Sequence, residues 1–433
     1  MALYGFLIVA IIAGVLVFSF QRSQMRTETV TVTAWGTIPA SIVNSVIRSI
    51  NEAQRNTISL EYRQFSRNNF ESQLVDALAS GQGPDLVFMS NDLLVKHENK
   101  LYTVGYDFYP QRTFRDNFIE AGDVLTNKDG IVGFPYIIDP LVLYWNRSML
   151  NSAGISEPPA FWDQLLNMTP RLTSIDSNLA VQKASIAMGE FRNIKNAKEI
   201  IVSLIIQSGS PVVSRNTSVH SSDRFVGQLA ENFGFSTRPA NAALNFYVQF
   251  SNPNLSSYSW NRSLPNSEEM FLSGDLAFYV GYASEFRELQ QKNPNLNFDV
   301  AVIPQSRISV SESGTVGRRT LGNLSFIGIV NNSNNIPAAF EAVKILTSPE
   351  NIKILNEFTN LPPVRRDLLS NPSENAILQT FFDSALIAKP FLDPEPTETN
   401  NIFSDMIESV TSGRSTVNEA VGRADNQINQ LMR

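Results

Sequence analysis

Three adjacent polar side chains, Ser90-Asn91-Asp92, close a short apolar run, Leu86-Val87-Phe88-Met89. A hydroxyl, an amide and a carboxylate together offer donors and acceptors to a polar guest. Phe65 and Ser66 end an alternating segment, Ile58 to Tyr62, and set an aromatic ring beside a hydroxyl. Both groups follow strand-like stretches, and in an open parallel sheet ligands sit outside the carboxyl ends of strands. Plain turn formation is the competing reading of Ser66, Ser90, Asn91 and Asp92, because these residue types also build turns. Trp260 stands between Ser259 and Asn261 in the polar stretch from Ser251 to Asn266, where an exposed indole is available for stacking. Trp145 and Trp162 lie in apolar segments instead.

These groups suit non-covalent capture rather than turnover. The chain has no GxSxG, no HExxH and no P-loop. It has no cysteine, which removes disulfides, thiolate metal sites, a thiol nucleophile and lipid attachment through sulfur. Its two histidines, His97 and His220, sit in no catalytic motif and read as exposed loop residues. No cofactor is expected. A net charge of −7 argues against a nucleic-acid partner, which would favour a basic face. A hydrolase using paired carboxylates is the enzymatic alternative, and no motif supports it.

The elements that must position these residues alternate. Val30 to Trp35 alternates and is rich in β-branched residues, so it reads as a first strand. Ile42, Val46 and Ile50 share a helical face after Pro39. A second strand ends at Gln64-Phe65-Ser66, and Asn68 with Glu71 resembles a capping box for the next helix. Gly81 and Gly83 stop that helix, Pro84 cannot extend it, and Asp85 is placed to bond its own neighbouring backbone. The order βαβαβ builds a parallel sheet with helices across its faces. Pro135 and Pro140 bracket Tyr136 to Asp139 and argue against a long regular element there; the segment reads as a crossing between lobes. Glu268 to Val280 repeats the order of helix, glycine, acid and strand, with Gly274-Asp275 at the exit. Thr416-x-x-Glu419 opens a last amphipathic helix with a capping box. At 433 residues, two or three structural units are expected.

Leu3 to Phe20 is an apolar run long enough to span a bilayer, and it ends in Phe18-Ser19-Phe20-Gln21-Arg22, a poor cleavage site. An uncleaved single-pass anchor in the lipid bilayer is preferred over a signal peptide. Arg22 and Arg26 follow the run and no basic residue precedes it, which by charge alone puts the remainder in the cytoplasm.

ALASGQGPDLVFM (77–89), GFPYIIDPLVLYWNRSML (133–150), EPPAFWDQLL (157–166), MFLSGDLAFYVGYAS (270–284), LGNLSFIGIVNNS (321–333), LTSPENIKILNEF (346–358) and SGRSTVNEAVGRADNQI (412–428) follow one another along the chain. In these stretches the sequence resembles the extracellular solute-binding proteins of maltose-binding type, the receptor components of ABC importers. The resemblance spans nearly all of Val30 to Arg433. It implies an α/β chain with the two-lobed periplasmic-binding-protein type II fold, each lobe a mixed, mostly parallel sheet flanked by helices, behind the N-terminal transmembrane helix. Residues 1–29 would form the anchor and linker, 30–138 plus 304–346 the first lobe, and 139–303 plus 347–433 the second. It further implies a globular part on the extracytoplasmic side, against the charge reading. The guest would be a small-molecule solute, a sugar first of all, and the partner a membrane permease. A tethered receptor or scaffold that binds a protein or extracellular polymer is the other function of such a fold.

The resemblance also adds site residues. Trp35 ends the first strand where the family lines its cleft, with sugar stacking and core packing as equal readings. Tyr136 and Asp139 flank the first crossing, where a carboxylate meets sugar hydroxyls in the family, although Asp139 also suits a turn before Pro140. Tyr282 follows Gly281 at a strand end and matches a cleft position. Asn323 stands where the family often has the second glycine of a pair, so its side chain reaches the guest or narrows the cleft. Arg365 matches a family arginine, with a loop salt bridge as the other reading.

Overall fold

The structure, a computed structural model, describes residues 29–53, 57–177, 180–216, 225–307 and 317–432. Eight strands frame the site: β1 (Val30–Gly36), β2 (Ile58–Gln64), β3 (Leu86–Ser90), β4 (Phe134–Asn146), β5 (Val181–Ile186), β6 (Leu276–Tyr282), β7 (Phe298–Val302) and β8 (Thr320–Ile329). With two short pieces, Ser174–Ile175 and Ala388–Lys389, they join in one ten-stranded sheet, in the order β2-β1-β3-β8-β4-β6-β5 with β7 also on β4. β3 is a run of buried apolar side chains from Leu86 to Met89, as a strand covered on both faces requires.

Two wings share β4. Its first half, Phe134 to Pro140, pairs with β8, and its second half pairs with β6 on one side and β7 on the other. The thirteen-residue strand runs through both Pro135 and Pro140, so the expectation that the prolines exclude a long regular element is corrected. Over Phe134–Pro140 the strand has a ladder partner on one side, β8. Proline is tolerated there because its missing N–H leaves no donor stranded on the unpaired flank. A register shift at Ser325/Phe326 places Tyr136 in a bulge between the prolines. Tyr144, Phe271, Tyr279 and Phe298 cluster under the second wing, with ring centroids 5.5 to 6.4 Å apart.

The sheet is less parallel than the βαβ pattern implies. β1 runs parallel to β2 and β3, and β5 to β6. The pairings of β8 with β3, and of β4 with β8, β6 and β7, are antiparallel. The reason is connectivity: β8 brings the chain back across the sheet against the direction of β4.

Helices cover the faces. α1 (Ala40–Ala53) lays Val43, Val46, Ile47 and Ile50 onto the first wing. α2 (Arg67–Ala79) starts after Ser66 and leaves through Gly81 at φ +69°, as Gly274 at φ +88° lets the chain leave the helix Ser267–Leu272. α3 (Ala197–Gln207) is buried almost all round. α4 (Pro349–Thr359) packs on α1, and so in the first wing, where the resemblance assigns the chain from Thr347 on to the second lobe. α5 (Pro396–Thr411) and α6 (Val417–Gln430) pack on each other, and both pack on the helix Pro239–Val248. The Thr416–Glu419 capping box is formed.

Other local expectations change. Glu71 makes no capping box with Asn68; its Oε1 lies 2.8 Å from Nε2 of His97. His97 is buried, not exposed, and burial holds its pKa below the usual value. His220 lies outside the described residues, as does the apolar run 3–20. Among the described residues no helix is long and apolar enough to cross a membrane.

Asp85 bonds distant segments rather than its own neighbours. Its carboxylate accepts from Thr33 N (2.9 Å), Thr33 Oγ1 (3.0 Å) and Ser333 Oγ (2.6 Å), tying β1, the entry to β3 and the exit of β8. Removing it strands the Thr33 N–H. Asp85→Ala is expected to destabilise the protein by about 2–4 kcal/mol in urea unfolding, and Asp85→Asn by less.

Candidate ligand-binding site

The middle strands of the sheet floor a cavity of about 430 Å³ between the wings. Ser90 ends β3 and leads into Asn91 and Asp92; Asp139 comes from β4, Tyr282 from the end of β6, and Asn323 from β8, directly opposite Asp139 in register. Arg67 of α2, Lys198 and Glu199 of α3, and Asp393 complete the polar part of the wall, beside the ring of Phe391. The first wing thus supplies one side and the second wing the other.

The lining is largely pre-organised. Asn91 is buried; its Oδ1 accepts from Leu324 N at 2.8 Å and its Nδ2 donates to the Phe391 carbonyl. Asp92 accepts from Arg67 and from the Ser90 hydroxyl. Asp139 Oδ1 accepts from Ser284 N at 3.0 Å. Loss of solvent outweighs that bond and pushes the Asp139 carboxyl up to about 7. Burial raises Glu199 as well. The Tyr282 hydroxyl is driven well above its usual value, by burial first and then by the negative charge of Glu199 and Asp139; its bond with Asn323 opposes the shift. Among the described residues, no group of three or more His, Asp or Glu is placed to hold a metal ion.

A second cavity of about 430 Å³ opens between the helix Arg147–Ser152 and Asn293–Asn297. Its amides are engaged locally: Asn146 bonds Met149 N and the Gly274 carbonyl, and Asn293 the Leu272 carbonyl. It lies away from the junction of the wings.

Residues 45–379 match the family model described as bacterial extracellular solute-binding protein. The chain belongs to this family. A predicted binding protein of Brucella abortus (strain 2308) is 21% identical over 397 residues, covering 88% of each chain. Among solved structures, the cyclic α-maltosyl-1,6-maltose binding protein of Arthrobacter globiformis is similar at a TM-score of 0.73 and 15% identity, over 93% of this chain and 99% of the other. The sugar-binding protein MalE of Xanthomonas citri gives 0.71 and 18%, over 93% and 97%. A cyclo/maltodextrin-binding protein complexed with maltotetraose gives 0.71 and 17%, over 92% and 96%. The fold of this solute-binding protein is theirs.

Not every residue singled out from the sequence lies in the cavity wall. Trp35 is half-buried against Phe65, with ring centroids 4.8 Å apart and the Arg63 guanidinium over both rings. Ser66 occupies the N-cap of α2 without a side-chain cap bond. Tyr136 is buried edge-on to Phe88 at 5.1 Å, and its hydroxyl has no hydrogen-bond partner among the described residues. Trp260, expected on a polar surface loop, is wholly buried, and its Nε1 donates to Asn193 Oδ1 at 3.1 Å. The polar neighbours mislead there because Ser259 itself turns inward to bond the backbone of Ser185 and Ile186. Arg365 is a buried staple: it pairs with Asp367 at 2.8 Å, donates to the Thr347 carbonyl at 3.1 Å and lies over Phe118.

Conversely, Arg67, Lys198, Glu199, Phe391 and Asp393 line the cavity and were not singled out. One signal was available. A Lys-Glu pair heads α3, a helix otherwise hydrophobic on every side, and buried charges demand partners.

The Asp139 shift fixes a pH dependence. A folded pKa near 7, against 3.8 for the ordinary group, gives stability that is full below the ordinary value and lost as pH rises through 7. Asp139→Asn, which keeps an acceptor for Ser284 N, is expected to stabilise the ligand-free protein by about 1–3 kcal/mol at pH 8 and to change little at pH 4, read by urea unfolding at both values.

Proposed function

We propose that this protein captures an extracellular carbohydrate between its two wings, acting as two lobes that close over the guest, and hands it to an ABC-type importer. The carrying observation is the polar cavity at the wing junction, where Ser90, Asn91 and Asp92 stand on one side and Lys198, Glu199 and Tyr282 on the other. Its volume falls within the range of about 300–1,000 Å³ usual for small-molecule sites. Multiple donors and acceptors beside aromatic rings suit a polyhydroxylated ring. The saccharide ligands named for the structural relatives support the same ligand class.

A guest touching both wings binds the closed arrangement more tightly than the open one, and that difference is what drives closure. In this reading the first lobe comprises residues 30–138 and 304–346 with α4, and the second comprises 139–303 and the C-terminal helices. Nothing is cleaved; the solute is released unchanged. The apolar run 3–20 holds the chain at the membrane with its globular part outside, so the full chain is expected in the membrane fraction, and a chain starting at Thr27 in the soluble one.

A thermal-shift screen of the globular part against maltodextrins, mannose oligosaccharides, amino acids and phosphorylated solutes tests the ligand class. A melting temperature that rises with the logarithm of saccharide concentration is expected, with a fall in radius of gyration by X-ray scattering as the lobes close. A shift produced by amino acids or phosphorylated solutes alone overturns the reading.

A further inference from the structure

The charges of the cleft do not balance. Arg67 is paired with Asp92, and Lys198 with Asp393 at 2.7 Å. Lys198 is held further by the Thr399 hydroxyl at 3.2 Å and the Pro396 carbonyl at 3.3 Å, so the charge of each cation of the lining is already matched by a carboxylate. Asp139 and Glu199 line the same cavity and have no cation within ion-pair distance among the described residues. With all four carboxyls ionised, four negative groups against two cations leave a formal charge of −2. The two uncompensated carboxylates come from different elements, β4 and α3, and Tyr282 on β6 is within electrostatic reach of both. Its half-buried ring also lines the cavity.

This combination discriminates between guests. An anion is repelled. A neutral polyol can donate hydroxyls to both carboxylates but leaves their charge uncompensated. An ammonium supplies the missing charge and also suits the face of an aromatic ring. The raised carboxyls of Asp139 and Glu199 agree: Asp139 has lost solvent with no positive partner, and at Glu199 the loss of solvent outweighs the charge of Lys198, which is itself paired with Asp393.

We propose that the cleft takes a saccharide bearing a protonated amine, with the ammonium seated among Asp139, Glu199 and the ring of Tyr282 and the sugar hydroxyls on Ser90, Asn91 and Asn323. This rests on the reading of the cavity as a saccharide site and narrows it to cationic sugars. Asp139 and Glu199 then set specificity, whereas Arg67 and Lys198 hold the walls.

Titration calorimetry with matched probes tests it. β-1,4-linked glucosamine oligosaccharides and cellodextrins of equal length differ at C2 by an amine in place of a hydroxyl. The aminated probe is expected to bind about tenfold tighter or better, and the ratio to fall towards one in Glu199→Gln and, separately, in Asp139→Asn. Equal binding of the two probes, or a preference that survives both substitutions, overturns the proposal and leaves the saccharide reading intact. Binding of neutral maltodextrins without binding of the aminated probe does the same. Failure of every saccharide to bind removes both.

Discussion

The backbone ladder between β4 and β8 is the constraint on which the rest depends. Gly322 to Ile327 pairs with Phe134 to Pro140, and from there the sheet extends one way through β3, β1 and β2 and the other way through the far half of β4 to β6 and β5. The wings are therefore joined through continuous hydrogen-bonded strands rather than through a slack linker. The cavity lies on this ladder: Asn323 and Asp139 are opposite one another in it, and both line the cavity. Movement of one wing against the other must twist this strand pair, so the two walls stay in register about a common floor.

Much of the architecture was legible because local signals agreed with the global fold. The alternation in Val30–Trp35, the apolar run Leu86–Met89, the exits at Gly81 and Gly274 and the Thr416–Glu419 box all correspond to elements of the structure. The failures have a common physical origin. Pro135 and Pro140 break a strand only when both flanks need donors, and which flank is paired is a tertiary fact that propensity cannot report. Trp260 looks exposed because its neighbours are polar, yet Ser259 has buried backbone groups to satisfy. Asp85 reads as a local turn former, while its real partners lie 52 and 248 residues away.

The site was legible in proportion to how much of it lies at strand tips. Ser90, Asn91 and Asp92 follow from that rule, Asp139, Tyr282 and Asn323 from the family resemblance, and all six line the cavity. The wall contributed by α3 and by Phe391–Asp393 was hidden, since a charged pair on a helix is ordinarily solvated. What marks Lys198 and Glu199 is context: the helix beneath them has no wet face. Arg365 shows the reverse case, a charge conspicuous in sequence whose function is to fasten the loop before Arg366–Leu369 to Thr347 and Phe118.

The side chain of Asn91 fastens three stretches of chain that are remote in sequence. It receives the amide of Leu324, 233 positions on, and reaches the carbonyl of Phe391, 300 positions on. Such contacts close large loops, and loop closure must come before the contact can repay it. The cavity wall is therefore complete only once the chain as far as Phe391–Asp393 is in place. A nascent chain halted before Phe391 lacks both the carbonyl that holds Asn91 and the Phe391–Asp393 side of the cavity wall.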